Sequence, residues 1–182
     1  MTPPPEPAIE RLEPAHADLL AAFFEALAPD PIVRRFFHPH PLTAEHARAL
    51  CAGAPSRRDR YYVIRYGGPV VAYFMLRGWD EGYAVPSFGV CTLPALRDAG
   101  LGKLALVHAI REAEQAGAPR LRLTVYRENE RAVAVYRRFG FAYSEKNAEE
   151  LVGVLPLPAP PLPEARASLA RLEAWRGGAS AP

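Results

Sequence analysis

Lysine is nearly missing from this chain of 182 residues: Lys103 and Lys146 stand against 20 arginines, and with 20 acidic residues the net charge is only +2. No basic run or tail is present, which argues against nucleic acid as a partner. Cysteine is scarce as well. Cys51 and Cys91 lack metal-ligand spacing and follow no secretory leader, so a disulfide framework and a thiolate metal site are both excluded, and reduced thiols in a cytoplasmic protein are expected. No apolar run reaches membrane-spanning length, so no membrane association is expected. Proline, by contrast, is abundant, with 20 residues that punctuate the chain.

The length suits one compact domain, and the 49% hydrophobic content suits a globular core. Met1 to Pro7 carries four prolines and is expected to be a disordered tail over 1–7. Residues 8–157 read as the domain. Ala8 to Leu12 forms a short strand, and Pro14 opens a helix through Leu27 that Pro29 and Pro31 stop. Arg34 to Pro41 is aromatic, basic and twice interrupted by proline, and Thr43 caps a further helix through Leu50.

Tyr61–Tyr66 and Val70–Leu76 flank Gly67-Gly68-Pro69 as an antiparallel hairpin, and a second turn, Gly78 to Gly82, leads to a strand over Pro86–Thr92. Asp80 and Gly82 are explained by turn chemistry, although Trp79, Asp80 and Glu81 are placed equally well to border a pocket. Next comes Leu93-Pro-Ala-Leu-Arg97-Asp-Ala-Gly100-Leu-Gly102-Lys103, running into a helix with Leu106, Ala109, Ile110 and Ala113 on one face. A strand-to-helix junction with two glycines frees the first N–H groups of the helix, and the dipole, Arg97 and Lys103 add positive charge. The loop is either an ordinary glycine-rich turn or a pyrophosphate cradle.

Leu121 to Tyr126 is the next strand, parallel to the one ending at Thr92 because a helix crosses between them. A helix presenting Ala132, Val135, Tyr136 and Phe139 follows, with strands near Phe141–Ser144 and Leu151–Leu155 closing a mixed sheet. Residues 158–182 are a proline-rich linker and an amphipathic helix over Glu164–Trp175, whose stripe of Leu169, Leu172 and Trp175 needs a partner in this domain or a second subunit.

Taken together, Pro94-x-x-Arg97-x-x-Gly100-x-Gly102 and, one strand later, Asn129-x-x-Ala132-x-x-x-Tyr136-x-x-x-Gly140-Phe141 resemble the GNAT superfamily of acetyl-CoA-dependent N-acetyltransferases, over about Ile9 to Leu157. The resemblance implies an α/β (mixed α+β) fold: a twisted, mostly antiparallel sheet of about seven strands, one parallel pair at the cofactor cleft, and helices on both faces. It implies acetyl-CoA as co-substrate, no metal, and a small-molecule amine, including an aminosugar, as acceptor, with a homodimer by family habit.

By that resemblance Val90, Cys91 and Thr92 offer main-chain groups to the pantetheine arm and thioester oxygen. Arg97, Asp98, Ala99, Gly100, Leu101, Gly102 and Lys103 seat the pyrophosphate, and Asn129 holds the pantetheine. Tyr136 matches the family's general acid for the departing thiolate. Each has a plainer reading, Tyr136 as core packing and Asn129 as a helix cap.

The acceptor side is implied less sharply. Phe36, Phe37, His38 and His40 are placed to border it, or the phenylalanines fill the core and the histidines meet solvent. A primary amine of pKa about 10.4 is less than about 0.1% neutral at pH 7, so a base or water chain must take its proton. Ser87, Glu81, Asp80, His38 and His40 are the candidates. Family members that modify protein N-termini carry a Glu five residues before the motif asparagine, where this chain has Thr124, which weakens a protein or peptide acceptor. The alternative from another class is a CoA-binding or interaction module whose chemistry has lapsed.

Overall fold

The computed structural model describes residues 5–179, so Met1–Pro4 of the expected tail lie outside the described residues. Seven strands form one sheet: β1 (Ala8–Arg11), β2 (Arg60–Arg65), β3 (Val70–Arg77), β4 (Ser87–Thr92), β5 (Arg120–Tyr126), β6 (Ala142–Glu145) and β7 (Glu150–Pro156), in the order β1-β2-β3-β4-β5-β7-β6. Every pairing is antiparallel except β4 with β5. The expected mixed sheet with one parallel pair is therefore present.

Alternation along the strands divides two cores. Tyr61, Val63, Tyr73, Met75 and Cys91 face α1 (Ala17–Leu27) and α3 (Ala44–Gly53), where Leu20, Phe24, Leu27, Leu50 and Cys51 are buried. Tyr62, Ile64, Phe74, Phe88, Leu121 and Leu123 face α4 (Leu101–Gln115), whose Leu106, Ala109, Ile110 and Ala113 are fully buried, and α5 (Glu130–Arg138) packs on the same side. Each large side chain so buried contributes roughly 1.5–3 kcal/mol.

Two local expectations need correction. Pro31 does not merely stop the preceding helix: it is the first residue of α2 (Pro31–Phe36), capped by Asp30, whose Oδ1 accepts from the Val33 N–H at 2.9 Å. Proline fits there because the first-turn N–H is unsatisfied in any helix. The last helix, α6, runs over Leu169–Ala179 rather than from Glu164, since the proline-rich linker stays extended to Ser168. Its partner is this domain: Leu172 is fully buried, and Trp175 packs on the α4 side of the sheet.

Candidate active site

The cleft begins where the parallel pair fails. β4 and β5 share only two rungs, Ser87↔Arg122 and Phe88↔Leu123. The Leu93 N–H donates to Val71 O at 3.1 Å and the Arg122 N–H to Pro86 O at 2.9 Å, so odd residues of β4 bond to β3 and even ones point toward β5. With no rung beyond Phe88, Val90 and Thr92 turn their main-chain groups into the opening.

α4 begins at the mouth of this opening. Asp98 (φ 74°) and Gly100 (φ 82°) adopt left-handed conformations that lift the chain into the helix. Lys103 and Leu104 donate back to Gly100 O, whereas the N–H groups of Leu101 and Gly102 have no acceptor among the described residues. A side chain at Gly102 would meet open space, so a ligand can reach the main chain there. Free main-chain N–H groups at a helix N-terminus have the geometry to accept an anion.

A cavity of about 660 Å³ lies over it, lined by Val90, Cys91, Thr92, Arg97, Asp98, Gly100, Leu101, Gly102, Lys103, Asn129 and Tyr136 among others. Of the residues expected on the cofactor side, two are exceptions: Ala99 is fully buried beneath the loop, and Cys91, an odd residue of β4, spends its main-chain groups on β3, so it offers none to the cleft. Several polar groups are already engaged. Arg97 is ion-paired with Asp30 across the mouth. Burial alone would raise the Asp30 carboxyl, but Arg97 and the Val33 and Ile32 N–H groups outweigh it and hold its pKa below the usual range. Asp98 pairs with Arg131. Asn129 does cap α5, its Oδ1 accepting from the Ala132 N–H at 3.3 Å, which leaves its NH₂ for a ligand.

A second cavity, of about 840 Å³, adjoins the first and shares Phe36, Val90 and Tyr136 with it. Phe37, His38, Glu81 and Ser87 line it as well. His40 does not. Its ring packs tilted against that of His46 at 4.5 Å, its Nε2 lies 3.0 Å from the Tyr73 hydroxyl, and burial lowers its pKa to about 4. Asp80 is also absent from the lining. Its Oδ1 accepts from the Arg58 and Asp59 N–H groups, closing the turn as its residue type suggests.

Tyr136 stands where the two cavities meet, half-buried, edge-on to Phe88 (6.4 Å, 90°). Its hydroxyl has no hydrogen-bond partner among the described residues. Desolvation, with a smaller contribution from Tyr143, pushes its pKa well above the usual phenol value, so it carries its proton at neutral pH.

Among the lining residues that the sequence reading does not name as site residues are Arg77, Arg122, Tyr126, Lys146 and Glu150. A signal existed for Arg122 and Tyr126. β5 alternates Leu121, Leu123 and Val125 in the core with Arg122, Thr124 and Tyr126 opposite, a polar face that usually means solvent. Here α2 closes over it. Arg35 lies over the Tyr126 ring at 4.7 Å and pairs with Glu128 at 2.7 Å and Glu149 at 3.6 Å, tying α2 to the segments that leave β5 and enter β7.

The acetyltransferase (GNAT) family model matches residues 20–141, two-thirds of the chain, and the chain belongs to that family. Its members use acetyl-CoA to acetylate an acceptor. The fold is similar to that of a GNAT-family acetyltransferase from Streptococcus pneumoniae (20% identity, 82% of this chain and 97% of that one, TM-score 0.68). It is also similar to yncA from Salmonella typhimurium, solved with its cofactor acetyl-CoA (18%, 88% and 99%, TM-score 0.67). A third is the ribosomal-protein-S18-alanine N-acetyltransferase of Escherichia coli (20%, 83% and 94%, TM-score 0.62). Among curated proteins no significant match is found. No helix among the described residues is long and apolar enough to cross a membrane, and no group of three or more His, Cys, Asp or Glu among them could hold a metal.

Proposed function

We propose that this enzyme transfers the acetyl group of acetyl-CoA to the primary amine of a small molecule by direct attack on the thioester. The observation that carries this reading is the position of Tyr136 and Val90 in the lining shared by two adjoining cavities. One cavity has the anion cradle of Leu101 and Gly102 and suits a pyrophosphate; the other is walled by aromatic and charged side chains and suits an amine.

The residues fit acetyl-CoA, which supplies an acyl group activated as a thioester. Leu101 and Gly102 would hold its pyrophosphate through main-chain N–H groups, with Lys103 and Arg131 adding charge at the rim. The Asn129 NH₂ would steady the pantetheine, and Val90 and Thr92 would offer main-chain groups to the arm. A main-chain N–H of β4 aimed into the cleft can stabilise negative charge on the acyl oxygen, which is worth about 3–4 kcal/mol where measured for one such donor. Tyr136 holds its proton at neutral pH and would give it to the leaving sulfur. The proton of the incoming ammonium leaves through the acceptor cavity, where Glu81 and Glu150 are the carboxylates.

The test is acetyl transfer to a panel of small amines, run beside thermal unfolding with acetyl-CoA. A ligand at 100 times its Kd adds about 2.7 kcal/mol, or roughly 5–10 °C at this length. We expect Tyr136→Phe to lower kcat by roughly 10²-fold while the acetyl-CoA thermal shift persists. Binding without transfer to any amine would favour a lapsed module, and transfer to peptide N-termini alone would move the acceptor to proteins.

A further inference from the structure

We infer that the acceptor carries a carboxylate beside its primary amine, and that Arg122 is the residue that selects it. The inference rests on the acetyltransferase reading and names the substrate class of the same site.

Five charged side chains line the acceptor cavity: Arg77, Arg122, Lys146, Glu81 and Glu150. Lys146 is neutralised by Glu150 at 2.8 Å. Arg77 sits 3.9 Å from Glu81, donates from Nη1 to Pro39 O at 2.8 Å, and keeps a buried Nε that has no partner. Arg122 faces no carboxylate among the described residues; its one bond is from Nη1 to the Ser87 hydroxyl at 3.2 Å. The cavity thus holds a half-buried guanidinium with most of its donor fork unused. An uncompensated charge away from water is unfavourable, and a ligand carboxylate that meets the planar fork in a bidentate pair relieves it.

The spacing fits one small molecule. Arg122 is level with Ser87 on the parallel rung, three residues along β4 from Val90, or roughly 10 Å at 3.3 Å per residue. The arginine side chain lies on the cavity face of β5 with Thr124 and Tyr126 and reaches Ser87 through Nη1, and a carboxylate paired with its fork lies about 3 Å beyond it, which shortens the span the acceptor must cover. An amine at Val90 and Tyr136 can therefore belong to a molecule whose carboxylate lies on Arg122, which is the size of an amino acid. A peptide N-terminus has an amide where that carboxylate would be.

The experiment compares matched acceptors with saturating acetyl-CoA: phenylalanine, phenylalaninamide and phenethylamine, then the same trio built on leucine and on glutamate. One charge-assisted pair predicts kcat/KM roughly 10- to 100-fold higher for the acid than for its neutral counterparts in at least one trio. Arg122→Gln should erase the preference by raising KM for the acid far more than for the neutral amines, and Arg122→Lys should restore part of it. Neutral amines used as well as the acids would overturn the inference while leaving the acetyltransferase reading intact. No acetylation of any member would overturn both. Should Arg122→Gln fail to fold, the trios on the unaltered enzyme still decide.

Discussion

The two cavities of the cleft, the proposed cofactor half and the proposed acceptor half, are built in opposite ways. The cofactor half is local: β4, the loop, the start of α4 and the start of α5 come from two short stretches, and its principal groups are main-chain atoms. The acceptor half is assembled from five separated places, namely α2 with the segment after it, the end of β3, the start of β4, the face of β5 and the β6–β7 connection. Main-chain recognition depends on backbone shape, which glycine and proline spacing specify. Side-chain recognition depends on which distant strands become neighbours. The first kind of site suits a cofactor shared by a whole family, and the second leaves room for each member's own acceptor.

The C-terminal segment sharpens this contrast, because it touches only the cofactor half. The Ser168 N–H donates to Ala99 O at 2.8 Å and Arg171 Nη1 to Arg97 O at 3.1 Å, while a side chain at Gly100 would come within 2.4 Å of Arg166 O. Leu172 anchors the segment in the core. Truncating it, Leu172→Ala, should cost about 2–5 kcal/mol, a fall of roughly 5–15 °C in the unfolding midpoint. Because the segment braces the loop, KM for acetyl-CoA should rise while KM for the acceptor stays put. Equal changes in both would erase the proposed division of labour. Gly100→Ala strikes the same contact and adds the strain of a left-handed non-glycine residue, about 1–3 kcal/mol, so its acetyl-CoA thermal shift should shrink as well.

This difference in construction also explains what could be read from the residues alone. Arg97, Gly100, Gly102, Asn129 and Tyr136 fall within 40 residues, and their spacing led to the fold and to the cofactor side together. Thr124 was noticed only as a departure from a pattern, and Arg122 was passed over because a polar strand face normally means water. Nothing in Arg34–Pro41 showed that α2 would fold over that face, because the ties that hold it there, Arg35 to Glu128 and Glu149, span more than 90 residues. His40 suits the acceptor by residue type alone; its partners Phe24, His46 and Tyr73 instead hold it, half-buried, against α1, α3 and β3.

That half-buried histidine, packed behind the acceptor cavity rather than lining it, gives the fold a pH dependence. His40 binds its proton near pH 4 in the folded state against 6.5 when free, so between those values the unfolded chain holds more protons and stability falls as pH drops through that window. The full loss is at most about 3 kcal/mol. His46 and His108 are lowered in the same direction and contribute to the slope. Unfolding midpoints between pH 7 and 4.5 should decline, and His40→Gln should flatten the decline. An unchanged slope would mean that His40 is solvated and that the wall of the acceptor cavity is looser than its packing indicates.

The smallest expected effect probes charge balance in the acceptor half alone. The Lys146 ammonium is 43% exposed, so its pair with Glu150 is worth no more than about 1 kcal/mol and Lys146→Met should leave the midpoint nearly unchanged. It would, however, leave the Glu150 carboxylate unopposed in the cavity that holds Arg122. A carboxylate-bearing acceptor should then bind a few-fold more weakly, whereas a neutral amine should bind as before and the acetyl-CoA thermal shift should not move. Weaker binding of the acid alone at constant stability would separate electrostatic selection from a general loosening of β6 and β7, which would weaken every acceptor alike.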